Sequence, residues 1–419
     1  MGTRTGRDSY VWRQLGLAAL AGNVTRPLPG YSTSVVSFFG GWLAGELAPQ
    51  MLAVLAADNA VHVARHGVRT PADKIGLGLA AVAGVGLAAS IAVSAKAGQA
   101  MRQALDESLG AEEMRRLDEE LGPVTVAAPW PTLLNPFKMG KPGVVRQRNL
   151  TYGDGGRRSR LDIYRNEEAR GGAPILLQVH GGGWTIGNKD QQGIPLMQEM
   201  AARGWVCASI NYPLSPKARW PEHLIAVKQA IAWLREHAEE YGADPSFIAV
   251  TGGSAGGHLT AMAGLTANDP ALQPGFEGSD TSVQALVPHY GVYDFTGDTG
   301  IKLTLQRVKS GLSAFVLGKN AKFPEDYRAA SPIDQVHADV APFLIIHGSF
   351  DSLVPVAEAR EFAARLRAVS TSPVAYAEIP GAQHAFDVFP SVRSIQVVQQ
   401  VARFLEWAVL KSGRELPSR

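Results

Sequence analysis

From residue 144 onward, short apolar runs alternate with longer amphipathic stretches, and that rhythm predicts strands and helices in succession. Residues 144–151 and 161–164 read as an antiparallel pair joined across a Gly-Asp-Gly-Gly turn. Strands are predicted over 175–179, 206–210, 247–251, 285–288, 343–346 and 374–378. Helices are predicted over 224–241, from just after Ser254, and over 391–409. Such alternation defines an α/β chain with a mostly parallel central sheet and helices on both faces. No internal repeat interrupts it.

Before residue 140 the texture differs, which divides the chain into a helical region (1–140) and an α/β region (141–419). Two apolar stretches dominate the first part. Residues 35–57 carry Glu46 and Pro49, whereas 75–95 hold no charge at all and end at Lys96. A run of about 20 apolar residues spans the hydrocarbon core of a bilayer, and the second stretch meets that length. Its Gly and Ala content makes it weakly hydrophobic per residue. Glu46 is costly in lipid unless it is paired or faces protein. The expectation is a helical hairpin that associates with a membrane. The competing reading is a lid or cap of buried helices over the α/β half. Arg4, Arg7, Arg13 and Arg26 precede the first stretch, and Lys96, Arg102, Arg115 and Arg116 follow the second. Arg65, Arg69 and Lys74 lie between them. That bias places the α/β half on the cytoplasmic side of a membrane; a soluble cytoplasmic protein is the alternative. The apolar run 15–21 is short and no small-residue cleavage site follows, so no cleaved signal peptide is expected. Residues 101–122 predict one amphipathic helix through Leu105, Leu109, Met114, Leu117 and Leu121. The segment 123–142, with Pro129, Pro131 and Pro136, reads as a linker or docking segment.

Composition narrows the function. Hydrophobic residues at 46% and charged ones at 19% suit a packed core and argue against disorder. Forty Lys+Arg against 38 Asp+Glu leave a charge of +2, without the basic footprint of a nucleic-acid partner. The lone cysteine, Cys207, excludes an intrachain disulfide and a Cys-based metal cluster, and reads as an inert buried thiol. Asp280, Asp294 and Asp298 have no metal-ligand spacing, so no metal is expected there.

The chemistry lies in glycine-rich loops. Gly252-Gly253-Ser254-Ala255-Gly256 is a G-x-S-x-G pattern between an apolar strand and a helix, the context a nucleophile elbow requires. A serine in so tight a turn needs small neighbours, and the helix start aims amides at developing negative charge. His180-Gly181-Gly182-Gly183-Trp184 follows an earlier strand, and its glycines let backbone amides converge on an oxyanion. Gly182 and Gly183, with the amide of Ala255, are the expected donors. His180 reads as an orienting residue rather than a base. Of ten histidines, His384 follows the strand 374–378 in a glycine-containing loop and is the expected general base. Asp351, after the strand 343–346, is the expected acid, giving the order Ser, acid, His. Asp387 is the reserve acid but reads as a loop-surface residue. His258 is the reserve base, although it points along the helix after Ser254. His289 and His347 close strands and read as structural. Trp220-Pro221-Glu222-His223 reads as a helix start. The segment 293–333, with Phe295, Leu303, Leu305, Leu312, Phe315 and Val316, is long enough to line an acyl pocket or simply pack on the surface.

Taken together, His180 to Trp184, Asn211 to Pro216, Gly252 to Gly257, Asp351 to Pro355 and Gly381 to Ala385 resemble the carboxylesterase and hormone-sensitive-lipase branch of the α/β-hydrolases. The likeness covers roughly residues 144–409. It implies hydrolysis of an acyl or lipid-type ester through a covalent acyl-enzyme, without a cofactor. Gly253 stands where that lipase branch usually has an aspartate, and Pro213 where it often has an arginine, which bears on the subfamily. The N-terminal region only loosely resembles that of membrane-associated bacterial esterases. An acyltransferase or thioesterase would use the same triad with another acceptor or leaving group. A non-catalytic small-molecule receptor on this fold would be expected to lack His384.

Overall fold

A computed structural model of the chain describes residues 2–124, 130–168 and 171–417. The alternating half forms strands β1 (Val144–Thr151), β2 (Arg160–Asn166), β3 (Ala173–Val179), β4 (Val206–Ile210), β5 (Ala243–Gly253), β6 (Ala285–His289), β7 (Phe343–Gly348) and β8 (Val374–Ile379). They make one eight-stranded sheet in the order β1-β2-β4-β3-β5-β6-β7-β8. β2 runs antiparallel to both β1 and β4, and every pair from β4 to β8 is parallel. Every residue of β3, β4, β6 and β7 is buried, as expected of strands covered on both faces.

Register explains why distant loops meet. Val179 at the end of β3 pairs with Gly252 near the end of β5. The chain therefore leaves both strands at one level, side by side. Gly253 pairs with His289 of β6, and Gly348 of β7 pairs with Ile379 of β8. The four loops that follow β3, β5, β7 and β8 thus emerge at one edge of the sheet, where ligands bind in α/β proteins.

The helical half comprises α1 (Gly2–Thr25), α2 (Ser34–Glu46), α3 (Ala48–His66), α4 (Pro71–Ser94), α5 (Ala97–Leu109), α6 (Ala111–Leu121) and the short α7 (Trp130–Leu134). The apolar stretch 35–57 is not one straight helix, because α2 and α3 meet at Leu47 with a bend of 82°. The amphipathic stretch 101–122 is likewise two helices, broken at Gly110 with φ 95°. Pro129, part of the proposed linker, lies outside the described residues.

In the α/β half the helices are α8 (Ile194–Ala202), α9 (Glu222–His237), α10 (Ala255–Leu265), α11 (Lys302–Lys309), α12 (Leu312–Leu317), α13 (Glu325–Ala329), α14 (Val356–Val369) and α15 (Val392–Lys411). One side of the sheet packs on α9, α10 and α14, the other on α8 and α15. The second side is completed by Met101, Ala104 and Leu105 of α5 and by Met114 and Leu117 of α6. The helices before residue 140 therefore supply part of the sheet's own core.

α1, α3 and α4 form a smaller cluster around Ala21, Ala48, Leu55, Ala80, Ala83 and Leu87. Tyr10 lies over Gly76 so closely that a Cβ there would stand 2.2 Å from its ring. Tyr10 also stacks on His62 at 3.6 Å, and His62 Nε2 lies 2.9 Å from Asp73. Asp73 closes a capping box with Thr70 at the start of α4, which holds the α3–α4 turn.

α2 docks elsewhere. Glu46 is buried in an ion pair with Arg393 of α15 and accepts from the Ser391 hydroxyl at 2.6 Å. At the other end of α2 the Ser352 hydroxyl donates to the Ser34 carbonyl at 3.1 Å. The carboxylate that is costly in lipid thus faces protein. α4 differs: only 28% of its most apolar window is buried, and Ile75, Val82 and Val85 are exposed.

Candidate active site

Ser254 sits between β5 and α10 at φ 58° and ψ −119°, a conformation few non-glycine residues adopt. The turn closes because its neighbours lack side chains. A Cβ on Gly252 would stand 2.6 Å from the Val179 carbonyl, and one on Gly256 only 2.1 Å from it. The Ser254 amide donates to the His289 carbonyl at 3.0 Å, which ties the turn to the end of β6.

The glycine loop after β3 lies directly against this turn. A Cβ on Gly181 would stand 3.1 Å from that of Ser254. Gly182 and Gly183 take φ 118° and 57°, values that demand glycine. Among the described residues, none accepts a hydrogen bond from the amides of Gly182 and Gly183. Ala255 opens α10, so its amide has no intrahelical acceptor. The Gly181 amide, in contrast, donates to Gln192 at 2.7 Å. His180 stacks on Tyr212 at 4.3 Å and hydrogen-bonds the Gly181 carbonyl through Nδ1 at 2.7 Å. Burial lowers its pKa to about 4, so the ring is neutral and braces the loop.

Across the site, His384 Nδ1 lies 2.6 Å from Asp351 Oδ2. Asp351 Oδ1 accepts from the amides of Leu353 and Val354, each at 2.9 Å. His347 Nε2 approaches the same carboxylate at 3.2 Å. Burial alone would raise the Asp351 pKa; the neighbouring His384 charge and bonds from both histidines outweigh it and hold the carboxyl well below its usual range. A depressed acid contributes stability above its unfolded pKa, ~3.9, and loses it as pH falls through the folded value. The stabilising difference in melting temperature between wild type and Asp351→Asn should therefore persist from pH 7 to about pH 5. It should shrink only below about pH 4. A gap that closes near pH 6 would contradict this arrangement.

Other histidines are placed differently. His258 is buried, bonds the Ala330 carbonyl at 2.8 Å and is boxed by Trp184, Trp220 and Phe295. Burial lowers its pKa to about 3. Asp387 is not a loop-surface residue: it lies 2.8 Å from His289 Nδ1 and hydrogen-bonds the Tyr290 hydroxyl. Sequence reasoning missed Tyr290, whose ring centroid lies 4.7 Å from that of His384. It also missed Phe38 of α2, set edge-on to His384 at 5.9 Å. Neither carries a sequence motif. His347 had a usable signal, its place four residues before Asp351.

The segment 293–333 folds into three short helices, α11 to α13. Phe295 packs behind the glycine loop, 5.3 Å from Trp184, and Val316 is also buried, whereas Phe315 is exposed. Among the described residues no cluster of His, Cys, Asp or Glu could hold a metal ion.

The sheet order, the elbow serine and the loops around it are those of the α/β-hydrolase fold. Residues 161–366 match the BD-FAE family model. Esterase LipQ of Mycobacterium tuberculosis is 49% identical over 260 residues, which is 61% of this chain and 61% of the relative. LipM of the same organism, a probable carboxylic ester hydrolase, is 47% identical over 64% of this chain and 63% of its own length. The aligned part thus spans less than two thirds of these relatives. Among solved structures, a truncated carbohydrate esterase from gut microbiota superposes with a TM-score of 0.54 and 26% identity. That match covers 64% of this chain and 99% of the other.

Proposed function

We propose that the chain is a serine carboxylesterase whose nucleophile is Ser254, with His384 as general base and Asp351 as its orienting acid. One observation carries the reading. A serine held at φ 58° lies beside glycine amides without a protein acceptor, on the sheet edge that also bears a His384–Asp351 pair 2.6 Å apart. In the first step His384 Nε2 takes the Ser254 hydroxyl proton while Oγ attacks the ester carbonyl. The amides of Gly182, Gly183 and Ala255 hold the oxyanion. Collapse breaks the ester bond, the alcohol leaves with the proton from His384, and an acyl-serine remains. Water then attacks, gives its proton to His384 and releases the acid. Asp351 fixes the imidazole tautomer and stabilises the imidazolium.

The surroundings support a substrate class. Phe38 lies against His384, and Val35, Val36 and Phe39 on the same helix are exposed. With the exposed face of α4, they fit association with a lipid surface and an apolar acyl or lipid-type ester. The docking of Glu46 on Arg393 and the 82° bend at Leu47 speak against 35–57 as a straight second pass and favour α4 as the main membrane contact. The test is turnover of nitrophenyl esters of increasing acyl length, with the full-length protein followed through a carbonate wash of membranes. Ester turnover and retention in the washed membrane are expected. Full recovery in the soluble fraction would overturn the membrane reading, and absence of turnover on every ester would overturn the activity.

A further inference from the structure

We propose that Tyr290, held by Asp387 and His289, is a positioning residue that sets the spacing between the nucleophile turn and His384. This rests on the reading of Ser254 and His384 as partners in one reaction. Tyr290 follows the last residue of β6 and takes φ 37°, a left-handed conformation unusual for a tyrosine. Its amide donates to the Ile346 carbonyl of β7 at 2.7 Å, which fixes the backbone. From there the ring reaches between two loops. On one side it meets the elbow: a Cβ on Gly253 would stand 2.6 Å from the hydroxyl and 2.8 Å from the ring carbon that bears it. On the other side it lies 4.7 Å from the His384 ring and 5.7 Å from that of Phe386.

The hydroxyl explains why the residue is a tyrosine. It donates to Asp387, which sits three residues after His384 on the same loop, and the other Asp387 oxygen lies 2.8 Å from His289 Nδ1. Burial pushes the phenol well above its ordinary pKa, so it stays a donor. Asp387 thus contacts two consecutive residues at the end of β6, through a hydrogen bond from Tyr290 and a close approach to His289. The link joins the loop bearing His384 to the strand end whose His289 carbonyl already accepts from the Ser254 amide. Both partners of the proton transfer are therefore referred to one short stretch, His289-Tyr290. Gly253 completes the arrangement. A side chain at 253, such as the aspartate found there in the resembling lipases, cannot coexist with Tyr290 in this place.

Displacing a catalytic group by about 1 Å can cost on the order of a hundredfold in rate. Tyr290→Ala should lower kcat about a hundredfold on a short nitrophenyl ester while KM changes less than about threefold. Tyr290→Phe, which keeps the ring, should recover most of that loss and remain about tenfold slow. The rate of Ser254 labelling by a fluorophosphonate should fall in parallel. Gly253→Ala should also slow kcat, by pushing the phenol aside. Added to Tyr290→Ala it should cost less than about twofold more, because the obstacle is gone. Folded Tyr290→Ala with kcat within twofold of wild type, a loss confined to KM, or an additive double variant would each overturn the proposal. If Tyr290→Ala fails to fold, Asp387→Asn decides: about tenfold lower kcat supports the link, and unchanged kcat overturns it. Wild type lacking any Ser254-dependent turnover would instead sink the esterase reading itself.

Discussion

Ser254→Ala and the double variant Ser254→Ala, His384→Ala should turn over esters at the same residual rate, at least about 10⁴-fold below wild type. The equality is the informative part. A base has nothing to activate once the hydroxyl is gone, so its removal adds no further loss. On the proposed mechanism, what remains comes from binding and from the amides of Gly182, Gly183 and Ala255, which these two variants leave in place. His384→Ala alone should fall nearly as far. Asp351→Asn should lose about 10⁴-fold while folding, because the amide can hold the wrong tautomer. Single-turnover kinetics and fluorophosphonate labelling measure these effects. Stoichiometric labelling of Ser254→Ala, or near-wild-type turnover by His384→Ala, would refute the assignment.

The second large effect concerns how α2 is held. Arg393 and Glu46 are buried together, each 1% exposed at the side chain, and the Ser391 cap of α15 bonds the same carboxylate. Removing one partner of such a pair leaves an uncompensated charge, which costs about 3–5 kcal/mol. Arg393→Met should destabilise the protein by that amount in urea denaturation. The double variant Glu46→Gln, Arg393→Met should recover much of it, since no charge is then buried. The single variant should also disturb activity, because Phe38 on α2 lies against His384. Were 35–57 a lipid-exposed pass, removing Arg393 would leave stability unchanged.

Much of the α/β half was legible in advance because its signals are local. Strand runs such as 175–177 and 343–346 are short and uniformly apolar, and a parallel strand covered on both faces has that pattern. The elbow was equally readable: only glycine at 252 and 256 permits the close approach of the Val179 carbonyl, so the requirement is written in residue type. The placing of Asp387 on the loop surface and the continuity of 101–122 were misread for a common reason. Each depends on what the segment packs against. Asp387 is partly buried because β6 ends beside its loop and offers His289 and Tyr290. Gly110 breaks a helix whose apolar face alone suggested none. The chain by itself determined the strands, the glycine turns and the types of residue that chemistry requires. Only the tertiary structure decided that Glu46 meets Arg393, that Phe38 lies on His384 and that Tyr290 fits over Gly253. Those partners are separated by tens to hundreds of positions, and burial of charge and ring against one specific neighbour leaves no periodic trace along the chain.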